Sequence, residues 1–238
     1  MKDAETILSR LRTLASPENA AGMARYGINT THALGIPVST LRALAKPVRA
    51  EVQAAGERHA LAAALWDSGV HEARILAGIL DDPHLVTEAQ METWAASFDS
   101  WDLVDQTCSN LFSKASLGYA KALEWSVRPE EFIRRAGFSL MAAIAVHDQR
   151  RPADDFEPFF TAILAQAGDE RNYVKKAVNW ALRSIGKRSP ALNARAVDIA
   201  WKMAAMPSRA ARWNARGALK ELTSPNVQEG LSRKKGGP

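Results

Sequence analysis

The chain has 238 residues, 47% hydrophobic, 24% charged and 7% aromatic, with a formal charge of +5 and a single cysteine. That length makes one large domain or two small ones and is ample for a buried core, while a lone Cys108 excludes a disulfide framework and a multi-thiolate zinc site. The charge is uneven: residues 1–119 are net −4 and residues 120–238 net +9, which points to a polyanion-facing surface in the second half.

In chain order, the opening MKDAETILSRLR is charged and amphipathic with no continuous apolar run, which reads against a signal peptide. The longest apolar stretch, around Leu140–Val146, falls far short of the ~20 residues a membrane span needs, so a cytoplasmic protein away from membranes is expected. Segments such as LVTEAQMETWAASF (85–98) and PALNARAVDIAWKMAAM (190–206) place apolar residues at helical three-and-four spacing. Breaks fall at Asp82-Pro83, Arg128-Pro129, Arg151-Pro152, Ser189-Pro190, Met206-Pro207 and Ser224-Pro225. About thirteen helices joined by short turns are predicted, and no alternating strand pattern occurs. The class is all-α.

FIRRAGFSLMAAIA (132–145) and YVKKAVNWALRSIG (173–186) align with Arg134-Arg135 on Lys175-Lys176, and RWNARGALKEL (212–222) follows at a similar interval. A period of about 40 with two helices per unit is the mark of HEAT-like repeats, here about six helix pairs. The expectation is one right-handed solenoid over 1–230 with a concave basic groove, then a basic disordered tail over 231–238. Ordinary bundles also show weak self-similarity. If equivalent helices share a face, Arg135, Lys176, Arg212 and Arg216 form a cationic ladder along it, suited to a phosphate backbone.

Motifs for metal and phosphate loops fail. His71-Glu72-Ala73-Arg74 lacks the second histidine of a helical zinc site, and Gly186-Lys187-Arg188-Ser189 lacks P-loop spacing. No cofactor or metal is expected. FDSWDLVDQTCSNLF (98–112) differs from the rest of the chain. Asp99 or Ser100 can cap its helix, and Asp102 suits the positive end of the helix dipole in the first turn. Asp105 has no such explanation: it sits inside the helix beside Val104 and Cys108, with Trp101 one turn earlier. It is either a partly desolvated electrostatic device or a surface acid paired with a repeat-face arginine such as Arg134 or Arg135. Trp180 repeats the theme, with Lys176 one turn before it. Trp66, Trp94, Trp125 and Trp201 read as core.

The segments MARYGINTTHALGIPVSTLRALAK, LWDSGVHEARILAGILDDP, SWDLVDQ, FIRRAGFSLMA and YVKKAVNWALR together resemble the bacterial DNA alkylation-repair glycosylases of AlkD type, built from HEAT-like repeats. The similarity spans roughly residues 20–225. It implies removal of N3- and N7-alkylated purines from duplex DNA, without metal or cofactor and with the base left stacked; a monomer is expected. It places the catalytic carboxylate on Asp105, two deoxyribose-contacting tryptophans on Trp101 and Trp180, a DNA-contacting arginine on Arg135 and a lesion-side tyrosine on Tyr26. The neighbouring cations Arg134, Lys175, Lys176, Arg212 and Arg216 join Arg135 as candidate DNA contacts.

The chemistry suits these residue types. A cationic alkylpurine leaves as a neutral base and needs no general acid; what needs stabilising is cationic sugar. The alternatives are a non-catalytic repeat protein for distorted or branched DNA, and a protein-interaction scaffold.

Overall fold

The structure, a computed structural model, describes residues 3–235, with side chains to Arg233. Among the described residues it holds fourteen α-helices, two 3-10 turns and no strand, as the helical periodicity predicts. No helix among them is long and apolar enough to cross a membrane. The chain falls into two compact units, residues 1–117 and 118–238.

The first unit contains α1 (Ala4–Thr13), α2 (Pro17–Ala24), α3 (Val38–Glu51), α4 (Ala55–Asp67), α5 (His71–Leu80), α6 (Glu88–Ala96), α7 (Trp101–Asn110) and a 3-10 turn at Phe112–Lys114. Asp3, Ser16 and Thr87 cap α1, α2 and α6, each accepting a backbone N–H three residues on. The helix predicted over 85–98 therefore starts later, behind Thr87. α5 packs against α3, α4 and α7, and this central position buries every residue of α5 except Arg74. Trp66 and Trp94 stack with ring centres 3.9 Å apart, and Phe98 meets Trp66 edge-on, so this pair is core as expected.

The second unit contains α8 (Gly118–Trp125), α9 (Glu131–His147), α10 (Glu157–Ala165), α11 (Asn172–Gly186), α12 (Pro190–Ala204), α13 (Arg209–Leu222) and α14 (Pro225–Lys235), with a 3-10 turn at Ala153–Phe156 before α10. α9, α11 and α13 carry the three self-similar segments, and they pack in that order, α9 on α11 and α11 on α13. α8 closes on α9 through Gly137, where a Cβ would come within 2.5 Å of the Ser126 nitrogen. Buried amides link the next step: Asn179 Nδ2 donates to the Asn214 carbonyl at 2.8 Å.

One expectation is corrected here. Trp201 is not core but 63% exposed, because Ile199, Ala200 and Met203 take the inward positions of α12 and turn residue 201 to solvent. α14 runs to Lys235 and Leu231 is buried, so an apolar anchor carries the helix on. Residues 236–238 lie outside the described residues.

Candidate active site and nucleic-acid interface

The segment 25–37, between α2 and α3, contains no helix, yet its backbone is satisfied from several directions. Glu72 of α5 is fully buried and accepts three backbone N–H groups, from Leu34 and Gly35 at 2.7 Å each and from Ile36 at 3.2 Å. The Leu34 carbonyl accepts from Ser16 N at 2.7 Å and the His32 carbonyl from His71 N at 3.0 Å. Gly35 has φ +76°, and a Cβ there would strike the Ser16 carbonyl oxygen and the Ala20 nitrogen. Only glycine fits that clamp.

The other end of this segment docks on the start of α7. Trp101 Nε1 donates to the Tyr26 carbonyl at 3.0 Å. Asn29 N–H donates to Ser100 Oγ at 2.6 Å, and Asn29 Nδ2 donates to Asp99 at 2.9 Å. The capping expectation is thereby corrected. Ser100 occupies the N-cap position but makes no side-chain cap, because its hydroxyl is spent on Asn29. Tyr26, pinned through its carbonyl, leaves its side chain outside, 75% exposed. Trp101 and Asp105 lie one turn apart on α7, both half-buried, and Cys108 beyond them is fully buried packing.

Asp102 lies in the first turn of α7 as expected, and it has a partner the sequence does not reveal. His71, only 4% exposed, meets it through Nε2 at 2.9 Å. Burial pulls the His71 pKa down, but the hydrogen bond and charge of Asp102, with the charges of Glu72 and Asp99, outweigh it and hold the pKa above the ordinary 6.5. A raised folded-state pKa gives stability that is full below pH about 6.5 and lost as pH rises through the folded-state value. The melting temperature of the wild type is therefore expected to fall across that window more steeply than that of His71→Gln. Parallel curves for the two proteins would remove the linkage.

The family model described as DNA alkylation repair enzyme matches residues 7–222. The chain belongs to that family. A solved structure of a protein from a new family related to the HEAT-like repeat DNA glycosylases, with affinity for branched DNA structures, superposes with a TM-score of 0.71. It is 19% identical, and the match covers 98% of this chain and 95% of that one, so the HEAT-like fold is shared. No curated protein matches the chain. The three family-like segments of the first unit, around Tyr26, His71-Glu72 and Trp101-Asp105, are the ones that meet in the cluster just described.

The remaining candidates lie in the second unit, and the structure treats them unequally. Trp180 is half-buried on α11. Arg134 is committed within its own unit: it pairs with Asp169 at 2.9 Å, and also donates to Gln166 and to the carbonyls of Arg128 and Val127. Asp169 in turn holds Arg171, and although burial opposes it these contacts keep its carboxyl below the usual range. Arg134 is a brace within its own unit rather than an open cation. Arg135 is 5% exposed and donates to the Tyr173 carbonyl at 2.7 Å. The ladder that sets Arg135 level with Lys176 therefore breaks at its first rung, since α9 is covered by α8 and α11 while Lys176 is exposed. Lys176, Arg212 and Arg216 are exposed and Lys175 half-buried, with Arg212 also donating to the carbonyls of Met206 and Pro207.

Sequence reasoning missed two features. The acidic half carries a basic face of its own: Arg42, Lys46 and Arg49 recur at helical spacing on α3. Arg42 donates to Gln106 and Asn110 of α7. Lys114 joins them, its pKa lowered by burial and by the charges of Arg49 and Arg42. Net charge per half hides a local cluster of this kind. The other feature is Trp213, 44% exposed on α13; its flanking arginines at positions 209, 212 and 216 are the signal that marks it. Among the described residues no group of three His, Cys, Asp or Glu side chains is placed to hold a metal ion.

Proposed function

We propose that the chain is a monofunctional DNA glycosylase that removes positively charged N3- and N7-alkylated purines from duplex DNA, acting as a monomer. The observation that carries this reading is α7. In a member of the DNA alkylation repair family, it holds an indole and a carboxylate one turn apart, with the indole fixed by the Tyr26 carbonyl.

The reaction breaks the bond between the sugar C1′ and the base nitrogen. The electron pair of that bond neutralises the cationic purine, which leaves without needing a proton. Positive charge passes to the sugar, and water adds at C1′ with loss of one proton. A carboxylate about 4 Å from that charge, at an effective dielectric of ~20, contributes about 4 kcal/mol. At ~1.4 kcal/mol per decade this is about a thousandfold in rate. Asp105 is assigned that role and the orientation of the water. Trp101 and Trp180 are assigned to the sugar, where an indole face adds ~0.5–2 kcal/mol of cation–π attraction. Tyr26, Lys175, Lys176, Arg212 and Arg216 are assigned to the DNA around the lesion. In this reading the base stays stacked rather than being drawn into a pocket, and selectivity comes from the lesion's own charge.

Incubation of the purified protein with methylated duplex is expected to release 3-methyladenine or 7-methylguanine and leave uracil-containing duplex intact. A second reading, a non-catalytic protein for branched DNA, is favoured by the described affinity of the structural neighbour. No base release together with salt-sensitive retention on a branched duplex would establish it over the first.

A further inference from the structure

The outer side of α13 carries Arg209, Arg212, Trp213 and Arg216, at i, i+3, i+4 and i+7, while Ala211, Asn214, Ala215 and Ala218 face inward. Trp213 leaves 44% of its surface exposed, and Lys175 of α11 holds its ammonium 5.3 Å from the ring centre. Among the described residues Lys176, Arg209 and Arg216 have no carboxylate partner. Elsewhere in the same unit several cations are neutralised: Arg183 and Lys187 by Glu221, Arg195 by Glu157, Lys202 by Asp198. The second exposed indole, Trp201, stands in that neutralised group, next to Lys202 and one turn from Asp198. Trp213 alone of the two is set among uncompensated cations.

From this we infer that Trp213 is a stacking platform for an unpaired DNA base, with the cations around it holding the phosphates on either side. The inference rests on the DNA-binding part of the reading above and adds the kind of DNA recognised. An aromatic plate in a cationic stripe suits single-stranded nucleic acid, because every base offers a π-face and every linkage a charge. In a continuous duplex each base face is covered by its neighbours, so an indole finds no plate to stack on. A base with an open face occurs at an overhang, a flap or a branch. An apolar protein partner fits poorly, since docking on this one ring would bury the surrounding cations unpaired.

The test compares the full chain with Trp213→Leu, Trp213→Phe and Trp201→Ala on a blunt duplex and on the same duplex bearing a short single-stranded flap. Trp213→Leu is expected to weaken binding to the flap about tenfold while leaving the blunt duplex unchanged, and to leave the salt slope unaltered. Trp213→Phe keeps most of the affinity, and Trp201→Ala keeps all of it. Equal loss on both DNAs, or no loss on the flap, overturns the stacking role while DNA binding itself stands. Failure of the unaltered protein to bind either DNA overturns the stacking role and the DNA-binding reading together.

Discussion

Asp105→Asn is expected to lower the release of 7-methylguanine from alkylated duplex by about a thousandfold under single-turnover conditions, with duplex affinity little changed. The substitution keeps shape and hydrogen-bonding size but removes the negative charge that the proposed mechanism sets against a cationic sugar. Because the departing purine is itself a good leaving group, the proposed mechanism draws on no general acid, and stabilisation of the sugar charge rests on this one carboxylate. The half-buried setting of Asp105 beside Trp101 makes its charge worth more than in open water. Release by the variant at the wild-type rate would take the catalytic role away from this residue.

Glu72→Ala should cost more stability than any surface change in the chain. The carboxylate is fully buried and its two oxygens satisfy three backbone N–H groups of a segment that has no helix of its own. Each buried donor left unpaired costs about 1–3 kcal/mol. With the Gly35 and Ile36 donors buried and the Leu34 donor only partly so, a total loss of about 3–5 kcal/mol follows, lowering the melting temperature by roughly 10 °C in a chain of this size. Glu72→Gln keeps the volume but turns an N–H₂ toward N–H donors, so it should fall between Ala and the wild type. Thermal melts of the three proteins decide the point, and an Ala variant melting within a degree of wild type would contradict the clamp.

The all-α class and the placement of Trp101 and Asp105 one turn apart on a helix were legible in the sequence, because each rests on spacing along one helix, and the period linking α9, α11 and α13 was legible from matching segments about 40 residues apart. What was not legible depends on which side of a helix a neighbour covers. Arg135 and Lys176 occupy matching positions in their repeats, yet packing on both sides buries the first and leaves the second in solvent. Trp201 looks like core on pattern alone, and only the packing of α12 turns it outward. On sequence pattern alone, His71 and Glu72 form only an incomplete metal motif. Their roles lie in contacts to Asp102 and to residues 34–36, partners more than thirty positions away in sequence that no local pattern announces. Counting charge by halves likewise passed over Arg42, Lys46, Arg49 and Lys114.

The anchoring of residues 25–37 has a thermodynamic corollary. A free loop that meets a partner must first surrender its wandering, and that cost is subtracted from the grip. Here part of that surrender is made during folding, by the hydrogen bonds of Glu72, Ser100 and Trp101. The phenol of Tyr26 thus waits on a backbone already set in place. If Tyr26 meets DNA as proposed, less of the binding free energy is lost to ordering this loop.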